Sequence, residues 1–143
     1  MLPLLLGALV ACSSSPESPD GREIFAANCA VCHGPDGQGQ PGWHIPKGDG
    51  TLPPPPLNGY GHTWHHPDGF LYRYVSGGGR MLEGAGLPGF KTAMPAFGET
   101  LTHDEIIAVL EYAKSLWGDK TSRGLSIRES QAHISERDPY PPR

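Results

Sequence analysis

Residues 29–34 read CAVCHG, so two of the chain's three cysteines stand three apart with a histidine directly behind the second. On a helix end, Cys29 and Cys32 are i, i+3 neighbours that share a face, and His33, four residues after Cys29, falls on the same side. A disulfide, which a secreted chain could form, would leave His33 without a role. A zinc ribbon needs two further ligands at matching spacing; His62, His65 and His66 could supply imidazoles, but there is no second cysteine pair. A thioredoxin-like redox pair calls for a preceding strand in a βαβ setting, and no such setting is evident here.

The spacing suits a planar ligand set edge-on to the turn, bonded by two sulfurs and met at its centre by the imidazole. C-x-x-C-H is the attachment signature of c-type haem, with Cys29 and Cys32 as thioethers and His33 as the proximal iron ligand. Composition agrees. The 143 residues, enough for one small domain, include 20 Gly and 16 Pro, and only 37% are hydrophobic. Such a chain borders on the disordered range, and small domains often draw stability from a bound group. Burying several hundred Å² of an apolar macrocycle would contribute on the order of 10 kcal/mol. A formal net charge of −4 without a basic run argues against nucleic acid as a partner.

Helix signals lie on both sides of the Gly- and Pro-rich stretch. Residues 20–32 read as a first helix, capped by Asp20 or Ser18. PDGFLYRYVS, residues 67–76, reads as another, with Pro67 in its first turn and Gly77 after it. THDEIIAVLEYAKSLWG, residues 102–118, carries the strongest pattern: a Thr102/Glu105 capping box, apolar residues at helical spacing and a Gly118 stop. Some thirty residues between the first two helices have no element of their own, which is tolerable if they wrap a cofactor. Residues 119–143 read as a polar C-terminal tail lying over the surface or frayed.

GREIFAANCAVCHGPDGQGQ resembles the N-terminal helix and haem turn of class I cytochromes c, and TAMPAFGETLTHDEIIAVLEYAKSLW resembles their distal-methionine loop and C-terminal helix. The likeness covers roughly residues 20–118, with separated motifs in the family's order. It implies an all-α fold of three or more helices, with long Gly/Pro-rich loops wrapped around one covalently bound haem c. It implies a crossing of the first and last helices through Gly21, Phe25 and Tyr112. It implies a Pro-x-Leu element, best matched by Pro55 and Leu57, whose carbonyl accepts from the proximal imidazole and raises its basicity. By position, Met94 in TAMPAFG matches the sixth ligand, a soft thioether that favours reduced iron. Met81 is the reserve, followed by a histidine of HTWHHPD, residues 62–68. That histidine cluster reads first as a cap and packing element before a helix, and second as a peripheral metal or docking site.

The opening MLPLLLGALVAC is apolar and too short to span a bilayer. It fits a signal peptide over residues 1–11, without the usual Lys or Arg before the apolar run. Leu9-Val10-Ala11-Cys12 looks like a lipobox that makes Cys12 the acylated first residue, followed by a flexible spacer to residue 19.

The expected protein is a membrane-tethered, extracytoplasmic one-electron carrier rather than an enzyme, serving a membrane oxidase or reductase on the periplasmic side of a bacterial membrane. Two alternatives are a peroxidase or gas sensor with a displaceable sixth ligand, and a fixed relay subunit of a respiratory complex. Cys12→Ala is expected to release the protein from membranes while leaving its visible spectrum unchanged. Unmodified wild type retaining Met1 in the soluble fraction, read by intact mass, would contradict the lipobox.

Overall fold

A computed structural model of the chain describes residues 18–83, 91–118 and 126–143. Cys12 and the signal region therefore lie outside the described residues. Helix α1, Gly21–Asn28, starts where the Asp20 carboxylate accepts the backbone N–H groups of Arg22 at 2.8 Å and Glu23 at 3.4 Å. The continuous helix expected over 20–32 is broken at Cys29. There the backbone tightens, Cys32 N–H donating to the Cys29 carbonyl at 3.1 Å, and a separate turn, α2, runs Ala30–His33. Gly34, at φ 79°, ends it in a conformation that glycine adopts freely.

Helix α3 spans Asp68–Gly77 and α4 spans Arg80–Glu83. Helix α5, His103–Ser115, has its capping box formed: Glu105 N–H donates to Thr102 Oγ1 at 3.3 Å, and Thr102 N–H to Glu105 Oε2 at 2.7 Å. It ends before residue 118 because Leu116 and Trp117 tighten onto Ala113 and Lys114, and Gly118 turns left-handed. Strands β1, Thr51–Leu52, and β2, Lys91–Thr92, pair in parallel with Thr51 opposite Lys91. The fold is accordingly all-α, with six helices and one 3-10 turn, Thr63–His65, among the described residues. No helix among them is long and apolar enough to cross a membrane.

Helices α1 and α5 cross at Gly21, where a Cβ would collide with the Ala108 carbonyl. One turn further on, the Phe25 and Tyr112 rings pack with centroids 5.2 Å apart. On its other side α5 contributes Ile106 and Leu110 to a core with Trp64, Leu71, Trp117 and Ile127.

Ile127 belongs to helix α6, Ile127–Ser135, and this corrects the expected polar tail. Ser126 caps α6 by accepting Glu129 N–H at 3.2 Å. Gln131 Nε2 donates to Asp68 Oδ1 at 2.6 Å and to Ser135 Oγ at 2.7 Å, and Ser135 Oγ also accepts Asp68 N–H at 3.1 Å. The start of α3, lacking a side-chain cap of its own, thus finds its cap on α6. Arg73 and Asp138 add a bidentate pair at 2.9 and 2.7 Å. Partners distant in sequence, not local propensity, order this segment.

Ile127 is 0% exposed. Ile127→Ala is expected to lower the unfolding free energy by about 2–5 kcal/mol in denaturant titration, the range for a buried aliphatic truncation. A frayed tail would give no measurable change.

Candidate haem site

Four consecutive prolines, Pro53–Pro56, lie beside the loop that leaves α2. A polyproline stretch forms no internal hydrogen bonds, so its carbonyls are available to neighbours. The Pro54 carbonyl accepts Gln40 N–H at 3.0 Å. The Pro55 carbonyl accepts from His33 Nδ1 at 2.8 Å, across 22 residues. Leu57 N–H donates to the Gly37 carbonyl at 2.7 Å, and Gly39 N–H to the His33 carbonyl at 2.7 Å.

Two glycines make this approach possible. Gly37 is at φ 62° and Gly39 at φ 68°. A Cβ on Gly39 would lie 2.6 Å from the Pro55 carbonyl carbon. The Gly/Pro stretch is therefore a backbone-to-backbone fit with few side chains between.

His33 is 8% exposed. Burial pushes its pKa below the ordinary histidine value, and the hydrogen bond to Pro55 opposes this in part. A carbonyl can only accept, so the neutral ring carries its proton on Nδ1 and keeps its lone pair on Nε2. The two thiols are free; Cys29 is half-buried and Cys32 exposed. Burial, with Cys32 adding to it, pushes the Cys29 thiol up to about 11.

Met94 stands on a different support. Gly79 N–H donates to the Met94 carbonyl at 2.9 Å, Phe97 N–H to the Val75 carbonyl at 3.0 Å, and Gly98 N–H to the Ser76 carbonyl at 3.0 Å. Gly78, at φ 66°, has no room for a side chain: a Cβ would lie 2.6 Å from Ala96 N and 2.9 Å from the Met94 carbonyl oxygen. Thr92 Oγ1 accepts Met94 N–H at 3.2 Å and the Tyr74 hydroxyl at 3.4 Å. The half-buried Met94 is thus pinned to the C-terminal end of α3, while Met81 sits half-buried on α4.

The structure brings His33 and Pro55 into direct contact, with Leu57 on the same backbone ladder. Cys29 and Cys32 bracket the turn that ends in His33. Sequence reasoning missed Gly39, Gly78, Gly79 and Thr92. Positive φ at the first two is invisible in a periodicity, although glycine runs beside a proline run and beside a methionine loop are a usable signal.

The histidine cluster lies against aromatic rings. Trp64 is buried and donates from Nε1 to the Gly61 carbonyl at 3.1 Å, while His65 stacks on it with centroids 3.6 Å apart. No group of three or more His, Cys, Asp or Glu converges on a metal position among the described residues.

The family profile for cytochrome c matches residues 18–117. The chain belongs to the cytochrome c family. It is similar to the CcoP subunit of a cbb3-type cytochrome c oxidase from Azospirillum sp. (strain B510), 35% identical over 108 residues. That alignment takes in 73% of this chain and 32% of the relative, so the chain spans about a third of that protein's length. No solved structure matches it.

The residues present fit a c-type haem by the chemistry of their donors. Two sulfurs on one turn suit thioether bonds, a neutral imidazole with Nδ1 engaged presents Nε2, and a loop-held thioether stands elsewhere. Gly39→Ala is expected to cost about 1–3 kcal/mol in denaturant titration, from positive φ and a backbone collision. Gly48→Ala, where nothing lies within 4 Å of the added methyl, is the matched control and should be neutral or stabilising.

Proposed function

We propose that the chain is a monohaem c-type cytochrome that passes single electrons between extracytoplasmic partners while tethered to a membrane through acylated Cys12. In this reading Cys29 and Cys32 hold one haem covalently, His33 Nε2 is the proximal ligand, Pro55 and Leu57 line the proximal side, and Met94 is the sixth ligand. The observation that carries it is the 2.8 Å bond from His33 Nδ1 to the Pro55 carbonyl, made by a buried imidazole inside C-x-x-C-H. That bond orients the ring and increases the basicity of Nε2. Haem supplies the one-electron redox change, and the protein's part is attachment, ligation and exclusion of water. The tether would confine the protein to the membrane plane and raise its concentration at a membrane-bound partner.

Similarity to an oxidase subunit favours a second reading, in which the chain is a fixed relay within a larger complex. Purification from native membranes separates the two: a free carrier leaves other subunits on mild detergent extraction, whereas a relay subunit stays with them at fixed stoichiometry.

Acid–acetone treatment is expected to leave the haem on the denatured chain, and Cys29→Ala with Cys32→Ala to let it extract. Met94→Ala should abolish the weak red thioether–iron absorption band, permit carbon monoxide binding to the reduced protein and lower the midpoint potential. Met81→Ala should change none of these. Loss of the band in Met81→Ala alone would reverse the ligand assignment. Ready binding of carbon monoxide by wild type would favour the peroxidase or sensor alternative.

A further inference from the structure

His62 and His66 flank the 3-10 turn formed by residues 63–65, and their rings approach each other with centroids 5.4 Å apart at 74°. Each ring is backed by a larger aromatic. His62 stacks on Trp43 at 5.6 Å and 14°, and His66 stacks on Phe70 at 4.5 Å and 23°. Neither ring makes a hydrogen bond to a described residue. The turn between them is closed by His65 N–H donating to the His62 carbonyl at 3.0 Å and His66 N–H to the Thr63 carbonyl at 3.1 Å.

The separation matches a chelating pair. Zinc–nitrogen bonds of about 2.0–2.1 Å in a tetrahedral set place the centroids of two ligating imidazoles about 5 Å apart. We propose that His62 and His66 form a bidentate site for a zinc-class divalent cation, distinct from the C-x-x-C-H turn, with water completing the coordination. Partial burial, and the neighbouring histidines after it, push both pKa values below the ordinary histidine value, so neutral rings are present near pH 7 to offer lone pairs. His65 is excluded from the pair because its ring is laid flat on Trp64. Trp43 and Phe70 act as positioning residues that hold the two ligands before the ion arrives, which reduces the entropy lost on binding.

The test is calorimetric titration of zinc chloride into the untagged full chain carrying its haem, near neutral pH. The expected result is saturation at one zinc per chain, with affinity reduced at least tenfold in both His62→Gln and His66→Gln and unchanged in His65→Gln. A second measurement needs no variant. Zinc should protect His62 and His66, and not His65, from carbethoxylation as read by peptide mass. Absence of saturable binding, loss in only one of the two variants, equal loss in His65→Gln, or protection that spares His62 and His66 would each overturn the site.

Discussion

One hydrogen bond, from His33 Nδ1 to the Pro55 carbonyl, organises the loops around the C-x-x-C-H turn. For that carbonyl to reach the ring, residues 54–58 must lie against residues 37–40. Gly37 and Gly39 both carry positive φ, and at Gly39 the approach is so close that an added Cβ would collide with the Pro55–Pro56 backbone. Proline is suited to the partner strand because its carbonyls are free of any ladder of their own. A stretch that looks too poor in apolar residues to fold is therefore held by main-chain groups whose geometry is specific.

Helix α3 links α6 and α5 to the Met94 loop. Its first turn is fastened by Gln131 and Ser135 of α6, and Lys114 of α5 reaches Asp68 Oδ1 at 3.0 Å. Its last turn, at Val75 and Ser76, accepts the backbone of the Met94 loop. A side chain on α6 thus bears on the Met94 loop through one rigid element, although α6 and that loop are separate in the chain. Thr92 adds a local brace between Tyr74 and Met94.

Much of the helical frame was legible because its signals are local. Thr102 and Glu105 announce α5, Pro67 and Gly77 bracket α3, and C-x-x-C-H marks the turn at His33. What was illegible depends on partners far away in sequence. Helix α6 has a Ser126–Glu129 cap and Ile127 and Ile134 at helical spacing, but its polar composition suggested a tail. Only Trp64, Leu71 and the neighbouring core show where Ile127 goes. The glycines at 77–79 stand next to Met81 in sequence, yet Gly78 and Gly79 serve the backbone of Met94. The break at Cys29 has no local signal because helical spacing continues through it.

The proline run has a consequence for how the chain behaves before it is fully assembled. Pro53–Pro56 presents carbonyls to His33 and Gln40, but none of its four residues has an N–H to donate. An extended segment with acceptors and no donors cannot form a ladder with an identical segment. The segment that must remain open to receive the histidine is thereby unable to pair with a copy of itself. A nascent chain awaiting its prosthetic group carries its own protection against β-aggregation at that edge.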